Sequence, residues 1–460
     1  MQLAKSTLYR KNKTTAKTFC TVLFLLSVHS LIAQENSPYS RYGLGDMVPN
    51  TNVVNRGMGG ISAAYTDRLS INFNNPAAYS KFLTTMEGGK VRSGRVVLDV
   101  GMNYDSRTLQ APDQPLRFSS SYGYFSHVQV GLPLTEKWGL SFGLRPVSRI
   151  SYKINKKEQL TDPLTGKIID TALTEFSGNG GAFLPTIGTG YSLGNLSIGG
   201  NLGYLFGRKE VSTKRAFVND SVNYQSSNYN NRTNFGGIFF NAGLQYKISL
   251  DKDNETSLRL GASGNWEQKI NATRDLVRET FVTDVNGAIQ RVDSVFSKSE
   301  ENGKMIYPAT YTLGFILEHA KTSGQGWLFG VDYVMSKWSD FRLFNEKDAV
   351  QDGSQIRVGG QLRPKPSENY FNNVAYRAGF FVGTDYIKVG NELPQYGFTF
   401  GLGLPVGNYS PVSRTQFTII NLGFEYSKRG KNDNLLKENL FRVSFGLNLS
   451  DLWFIKRRYD

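Results

Sequence analysis

Beyond an apolar stretch near its start, the chain alternates between greasy and polar positions with a period of two. Ile198, Leu202, Tyr204 and Phe206 interleave with Ser197, Gly199, Asn201 and Gly203. Ile238, Phe240, Ala242, Leu244, Tyr246 and Ile248 interleave with Asn241, Gly243, Gln245, Lys247 and Ser249. The same holds for Leu258, Leu260, Ala262 and Trp266 against Arg259, Ser263, Asn265 and Glu267, and for Phe441, Val443, Phe445, Leu447 and Leu449 against Arg442, Ser444, Gly446 and Asn448. Successive strand side chains point to opposite faces, so each run has one apolar and one polar face. No long amphipathic helical pattern competes with it.

Alternation alone does not say which face is inside, and a soluble secreted β-sandwich alternates too. Three features favour a membrane. The runs reach the roughly 9–11 residues that a tilted transmembrane strand needs. They are too numerous and too evenly spread for one sandwich. Their connections also alternate in length. Strands are predicted near 95–104, 118–131, 137–153, 182–193, 196–207, 235–250, 256–270, 305–320, 326–338, 355–364, 374–388, 397–405, 415–427 and 439–449. Short turns fall at Leu132–Glu136, Gly194-Asn195, Asp251–Asn254 and Lys321–Gln325, and long polar loops at Asn155–Gly181, Arg208–Asn234 and Asn271–Lys304. Bacterial barrels put short turns in the periplasm and long loops outside. Unpaired strand edges cannot face hydrocarbon, so the sheet must close. The predicted fold class is all-β: a transmembrane antiparallel β-barrel of about fourteen strands, polar set inward. Such a barrel encloses more space than its wall side chains fill. Residues 34–94, rich in Gly, Asn and Ser, are the predicted N-terminal plug, or hatch, leaving 95–460 for the barrel.

The start of the chain adds a compartment. Lys5, Arg10, Lys11, Lys13 and Lys17 precede an apolar core at Phe19–Leu26, and Ala33 is small, so residues 1–33 read as a signal peptide. That core is too short to span a bilayer as a helix. The only cysteine, Cys20, would leave with it, and the mature chain would have no thiol chemistry. The net charge is +15 over 460 residues, a balance that suits the anionic headgroups of outer-membrane lipid and lipopolysaccharide as well as it suits plain solvation. An exported chain with no compact basic motif does not read as a nucleic-acid binder.

Enzymatic and metal chemistry find little support. Outside the leader only His127 and His319 remain, far apart and without ligand spacing. Ser126 adjoins His127, but neighbouring strand residues point to opposite faces, so that pair is not expected to meet. Gly188-Thr189-Gly190 and Gly401-Leu402-Gly403 look like phosphate loops only superficially, because no helix follows them. No enzyme, cofactor or metal is expected. The basic tail Lys456-Arg457-Arg458 reads as a solvated periplasmic end, and Trp453 and Phe454 as members of an interfacial aromatic belt.

The N-terminal part carries three distinctive words: Ser37-Pro38-Tyr39-Ser40-Arg41-Tyr42-Gly43-Leu44-Gly45-Asp46, then Arg56-Gly57-Met58-Gly59-Gly60, then Asn72-Phe73-Asn74-Asn75-Pro76-Ala77-Ala78. Glycines permit tight backbone paths, and Asn-Pro favours a turn. An RGMGG-like run followed by NPA resembles the FadL-type outer-membrane transporters. The nearest likeness is to Bacteroidetes members, a superfamily that includes the PorV-like barrel of type IX secretion. The resemblance implies a fourteen-stranded barrel with a hatch built on Arg56, Gly57, Gly59, Gly60, Asn75, Pro76 and Ala77. It implies passive uptake of fatty-acid-like hydrophobic small molecules with lateral release, or else a binding and assembly role beside secretion-system proteins. In such transporters a kink in the third strand opens the wall sideways, and Pro146 interrupts the third predicted strand here; a harmless bulge is the alternative. Arg56 and Asp67 are expected to pair with wall charges such as Glu267 or Arg259. A departure is the C-terminus, which runs on past the last strand instead of ending in an aromatic strand residue.

Overall fold

The computed structural model describes residues 37–87, 90–112, 116–218, 225–253, 255–283, 289–406 and 416–453. The predicted leader with Cys20, and the tail from Phe454 onward, lie outside the described residues.

Fourteen strands form one antiparallel barrel. They are β1 (Lys90–Gln110), β2 (Arg117–Pro133), β3 (Trp138–Thr161), β4 (Ile168–Leu193), β5 (Leu196–Phe217), β6 (Ser226–Ser249), β7 (Thr256–Asn265, resuming at Gln268–Thr283), β8 (Ile289–Tyr307, resuming at Thr310–Ala320), β9 (Gly326–Ser336), β10 (Gly353–Arg363), β11 (Ala375–Val389), β12 (Asn391–Val406), β13 (Gln416–Arg429) and β14 (Lys437–Trp453). The sheet closes where β14 pairs with β1, from Lys437 opposite Gln110 to Trp453 opposite Gly94. Closure leaves the membrane-crossing sheet with partners on both sides of nearly every strand, as hydrocarbon demands. The alternation sorts the side chains: Leu202, Tyr204, Phe206, Phe240, Trp266, Phe329 and Phe445 are exposed on the outer face, while Asn103, Asn201, Gln245 and Asn448 are buried on the inner one. A closed barrel with such a belt is built for the outer membrane of a Gram-negative bacterium.

The long polar "loops" predicted from sequence are largely strand. Lys153–Thr161 pairs with Ser177–Ile168, Arg208–Arg215 with Asn234–Ser227, and Asn271–Thr283 with Lys304–Ile289. Strands β3 to β8 therefore rise well beyond the apolar belt as a tall wall. At about 3.3 Å per residue, Arg149–Thr161 alone adds roughly 40 Å of strand. Strands β9 to β14, with β1 and β2, end much lower.

One seam is incomplete. The β2–β3 ladder runs only from Pro133–Gly139 to Val128–Leu144. Above Leu144, β3 carries a bulge between Pro146 and Ser148 in its pairing with β4. The edge it frees is taken by the N-terminal segment: Asp46 lies opposite Arg149 and Met47 opposite Ser148, the Val48 N–H donates to the Val147 carbonyl at 3.0 Å, and the Ser37 N–H to the Ser151 carbonyl at 2.9 Å.

Candidate functional site

Residues 37–83 run inside the barrel, bonded to inward-facing groups of its wall. Near the periplasmic end the chain makes the two turns that the sequence motifs suggested. Asn52 caps a single helical turn, Val53–Arg56, by accepting the Asn55 N–H. Arg56 then reaches the wall: its guanidinium donates to Asn103 at 2.6 Å and Ser444 at 3.3 Å, and back to the Thr51 carbonyl at 3.0 Å. Gly59 sits at φ +69° with its N–H on Thr399 Oγ1 at 2.8 Å. A Cβ there would lie 2.7 Å from the Val358 carbonyl oxygen, so the wall itself excludes a side chain. Gly57 packs Cα against Cα of Gly401, and the Gly60 carbonyl accepts from Arg357 at 3.1 Å. Asn75 caps the 3-10 turn Pro76–Lys81 through the Ala77 N–H, and its amide donates to the Ala63 carbonyl at 2.6 Å. The Pro76 carbonyl fits only because Gly190 and Gly199 on the wall have no side chain. The hatch residues named from sequence thus lie together in the lower lumen, whereas Pro146 lies apart from them on β3.

Sequence reasoning missed the wall residues that hold this part. Asp332 on β9 accepts the N–H groups of Ser62 at 2.6 Å and Ala63 at 2.9 Å, and Asp99 on β1 accepts that of Ile71 at 3.0 Å. An inward acid on an otherwise apolar strand was the available signal for Asp332. The pairing of Arg56 with a wall charge does not occur, and Asp67 pairs with a wall arginine other than the one named. Arg56 meets neutral acceptors, Asp67 pairs with Arg363 at 3.5 Å, and Arg259 pairs with Glu318 at 2.8 Å. Glu267 stays on the exposed outer side of the β7 interruption.

A second correction concerns Ser126 and His127. A bulge pairs Gly101 with His127 but Met102 with Phe125, so Ser126 is skipped and both side chains turn inward. Ser126 Oγ lies 3.3 Å from His127 Nδ1, and His127 Nε2 lies 2.9 Å from Asp99. This trio is fully buried beneath Phe73, Arg56 and Ile71. It anchors the hatch and offers no approach to a substrate.

The upper lumen is different in character. Inward-facing Leu184, Leu205, Phe235, Phe239, Ile270 and Met305 of β4 to β8 form an apolar chamber. Packed in the same cluster are Tyr39 and Leu44 from the N-terminal segment, Trp338 and Phe341 from the connection between β9 and β10, which folds inward, and Tyr386, Ile387 and Leu393 of β11 and β12. That connection holds the N-terminal segment directly: Asp348 accepts the Gly43 N–H at 2.9 Å, and Lys209 bridges the Gly43 carbonyl at 2.8 Å and Asp348 at 3.2 Å. Tyr386 donates to the Gly45 carbonyl. Asp46 is clamped by Arg107 at 2.7 Å and Arg429 at 2.9 Å, both of which also reach Glu438.

Between chamber and hatch lies a cavity of about 340 Å³, bounded by Met47, Val48, Arg56, Phe73, Arg107, Arg145 and Phe239 among others. Arg145 stacks over the Phe73 ring at 5.7 Å. Above the β2–β3 ladder, Arg149 lies against Tyr122 and Tyr124, at 4.7 and 4.8 Å, and Val48 packs against the same two rings. Among the described residues no cluster of three potential metal ligands occurs.

Comparison with solved structures finds the same fold. The chain resembles the monoaromatic hydrocarbon channel CymD (16% identity, TM-score 0.50, covering 89% of this chain and 98% of that one). It also resembles the Pseudomonas putida toluene transporter TodX (14%, TM-score 0.51, 88% and 99%) and a Pseudomonas aeruginosa FadL homologue (12%, TM-score 0.50, 90% and 100%). At such identities the likeness speaks for the fold, a FadL-type barrel. No curated protein matches the sequence. The BamG family profile matches residues 15–460. Over residues 15–460, then, this chain belongs to the BamG family.

Proposed function

We infer that this barrel takes up hydrophobic small molecules from outside and releases them sideways into the membrane, with its N-terminal segment as the closure. One observation carries the reading: the upper lumen holds an apolar chamber, and that chamber borders the stretch of wall where β2 and β3 are not joined. Inward apolar side chains are the reverse of what a water-filled pore requires. A ligand would displace Tyr39 and Leu44 and take their place, gaining roughly 0.8 kcal/mol per methylene buried. Pro146 supports an exit at the seam, because it withholds a ladder donor just where β3 parts from β2. CymD and TodX, described as channels for hydrocarbons and toluene, share the fold. Fatty-acid-like molecules are the expected ligands.

The test is accumulation of radiolabelled toluene and laurate by cells producing the protein. Faster accumulation than in cells lacking it is expected, lost when Pro146→Val repairs the seam. Equal accumulation with and without the protein sinks the reading.

A second reading has its own observation. The chamber is packed with the chain's own side chains, and the β3–β8 wall offers a broad surface above the membrane. A sealed barrel that docks other proteins, as a PorV-like assembly component would, also fits. A protein partner purifying in fixed ratio, with no ligand-dependent uptake, favours this role; lipid retained in the chamber favours uptake.

A further inference from the structure

The outer face of β5 to β8 changes character along one line. On its membrane side stand Tyr204 and Phe206 of β5, Ile238 and Phe240 of β6, Trp266 of β7 and Tyr311 of β8, all exposed. The rings of Phe240 and Trp266 are 5.5 Å apart. Beyond them, past Gly236 of β6 and Ile306 of β8, the outward residues are Arg208, Asn234 and Arg232, Lys269 and Asn271, and Lys304 and Asn302. Register makes these one patch: Arg208 is opposite Asn234, and Asn271 is opposite Lys304.

The charges in this patch do not balance. Arg232 and Arg208 share Glu210, at 3.2 and 3.9 Å. Lys269 and Lys304 have no carboxylate within 4 Å among the described residues. They are diagonal neighbours across the β7–β8 pair, about 7–8 Å apart or somewhat less at Cβ. Two like charges so placed repel unless an anion sits between them. Position then selects the anion. Residues directly above a lipid-facing aromatic border lie at the level of the outer-leaflet headgroups. Neutral amides beside the lysines can bond sugar hydroxyls as donors and acceptors.

We propose that this patch is a binding site for a phosphorylated glycolipid of the outer leaflet. A phosphate bridges Lys269 and Lys304, sugar hydroxyls meet Asn234, Asn271 and Asn302, and acyl chains lie along Phe240 and Trp266. The site is independent of what the lumen carries.

The test uses the full-length protein, delipidated in detergent and exposed separately to diphosphorylated lipid A, dephosphorylated lipid A and phosphatidylglycerol, with bound lipid read by native mass spectrometry. Wild type is expected to retain diphosphorylated lipid A at least tenfold better than the K269Q/K304Q variant. Dephosphorylated lipid A and phosphatidylglycerol should bind wild type no better than diphosphorylated lipid A binds the variant. The K269R/K304R variant should restore retention, which separates loss of charge from loss of fold. Equal retention by wild type and K269Q/K304Q overturns the proposal. So does phosphatidylglycerol binding wild type as well as diphosphorylated lipid A, since that is unspecific attraction to anions.

Discussion

Gly59 shows how much rests on a missing side chain. Its positive φ and the Val358 carbonyl oxygen 2.7 Å from a would-be Cβ leave room only for hydrogen. Gly59→Ala is expected to cost about 1–3 kcal/mol, seen as a lower midpoint of chemical unfolding in detergent and as easier proteolysis of the hatch. The motif announced tight turns here, and turns are what it makes. The wall's reply, with Gly401 and Thr399 waiting far along the chain, was not legible, because no local pattern encodes it. Ser126 and His127 teach the opposite lesson. The rule that neighbours diverge holds only for an unbroken pleat, and a single skipped residue reverses it.

At the scale of the element, each predicted strand has its counterpart, because water on one side and lipid on the other write a period of two into the sequence. The wall above the membrane was invisible for the same reason. No lipid faces it, so stretches such as Asn155–Gly181 carry little apolar alternation and read as loops, although Asp170, Ala172 and Thr174 are buried on one face. The short N-terminal strand on the edge of β3 has only two paired residues and equally little signal. It is also the element to test. Met47→Cys with Ser148→Cys places two thiols across that pairing, in a chain whose only other cysteine lies in the predicted leader. The oxidised pair is expected to stop uptake of radiolabelled toluene and the reduced pair to restore it; uptake unaffected by oxidation would mean that this strand is not the closure.

For the molecule as a whole, the outside was easier to read than the inside. The apolar set was assigned outward, which is right for Leu202 and Phe240, whereas Leu205 and Phe239, on the parity of the polar set, face the lumen as part of an apolar chamber that the alternation did not announce. Runs that are apolar on both faces hide an internal greasy surface behind an external one. Placing the belt in lipid predicts a gradient of tolerance. Leu202→Arg should destabilise the barrel in vesicles by about 2–4 kcal/mol. Gln159→Arg, on the wall above the membrane, should stay within about 0.5 kcal/mol of wild type. Both are read from urea unfolding.

The unequal height of the rim also sets a direction of approach. Strands β3 to β8 screen one flank of the mouth, and the inward-folded connection leans on that flank through Arg274–Glu346 and Lys209–Asp348. A bulky visitor from the medium therefore meets a parapet on one side and a doorstep on the other. Any large partner would therefore sit off-centre, its weight over β9 to β14, where the strands end lower.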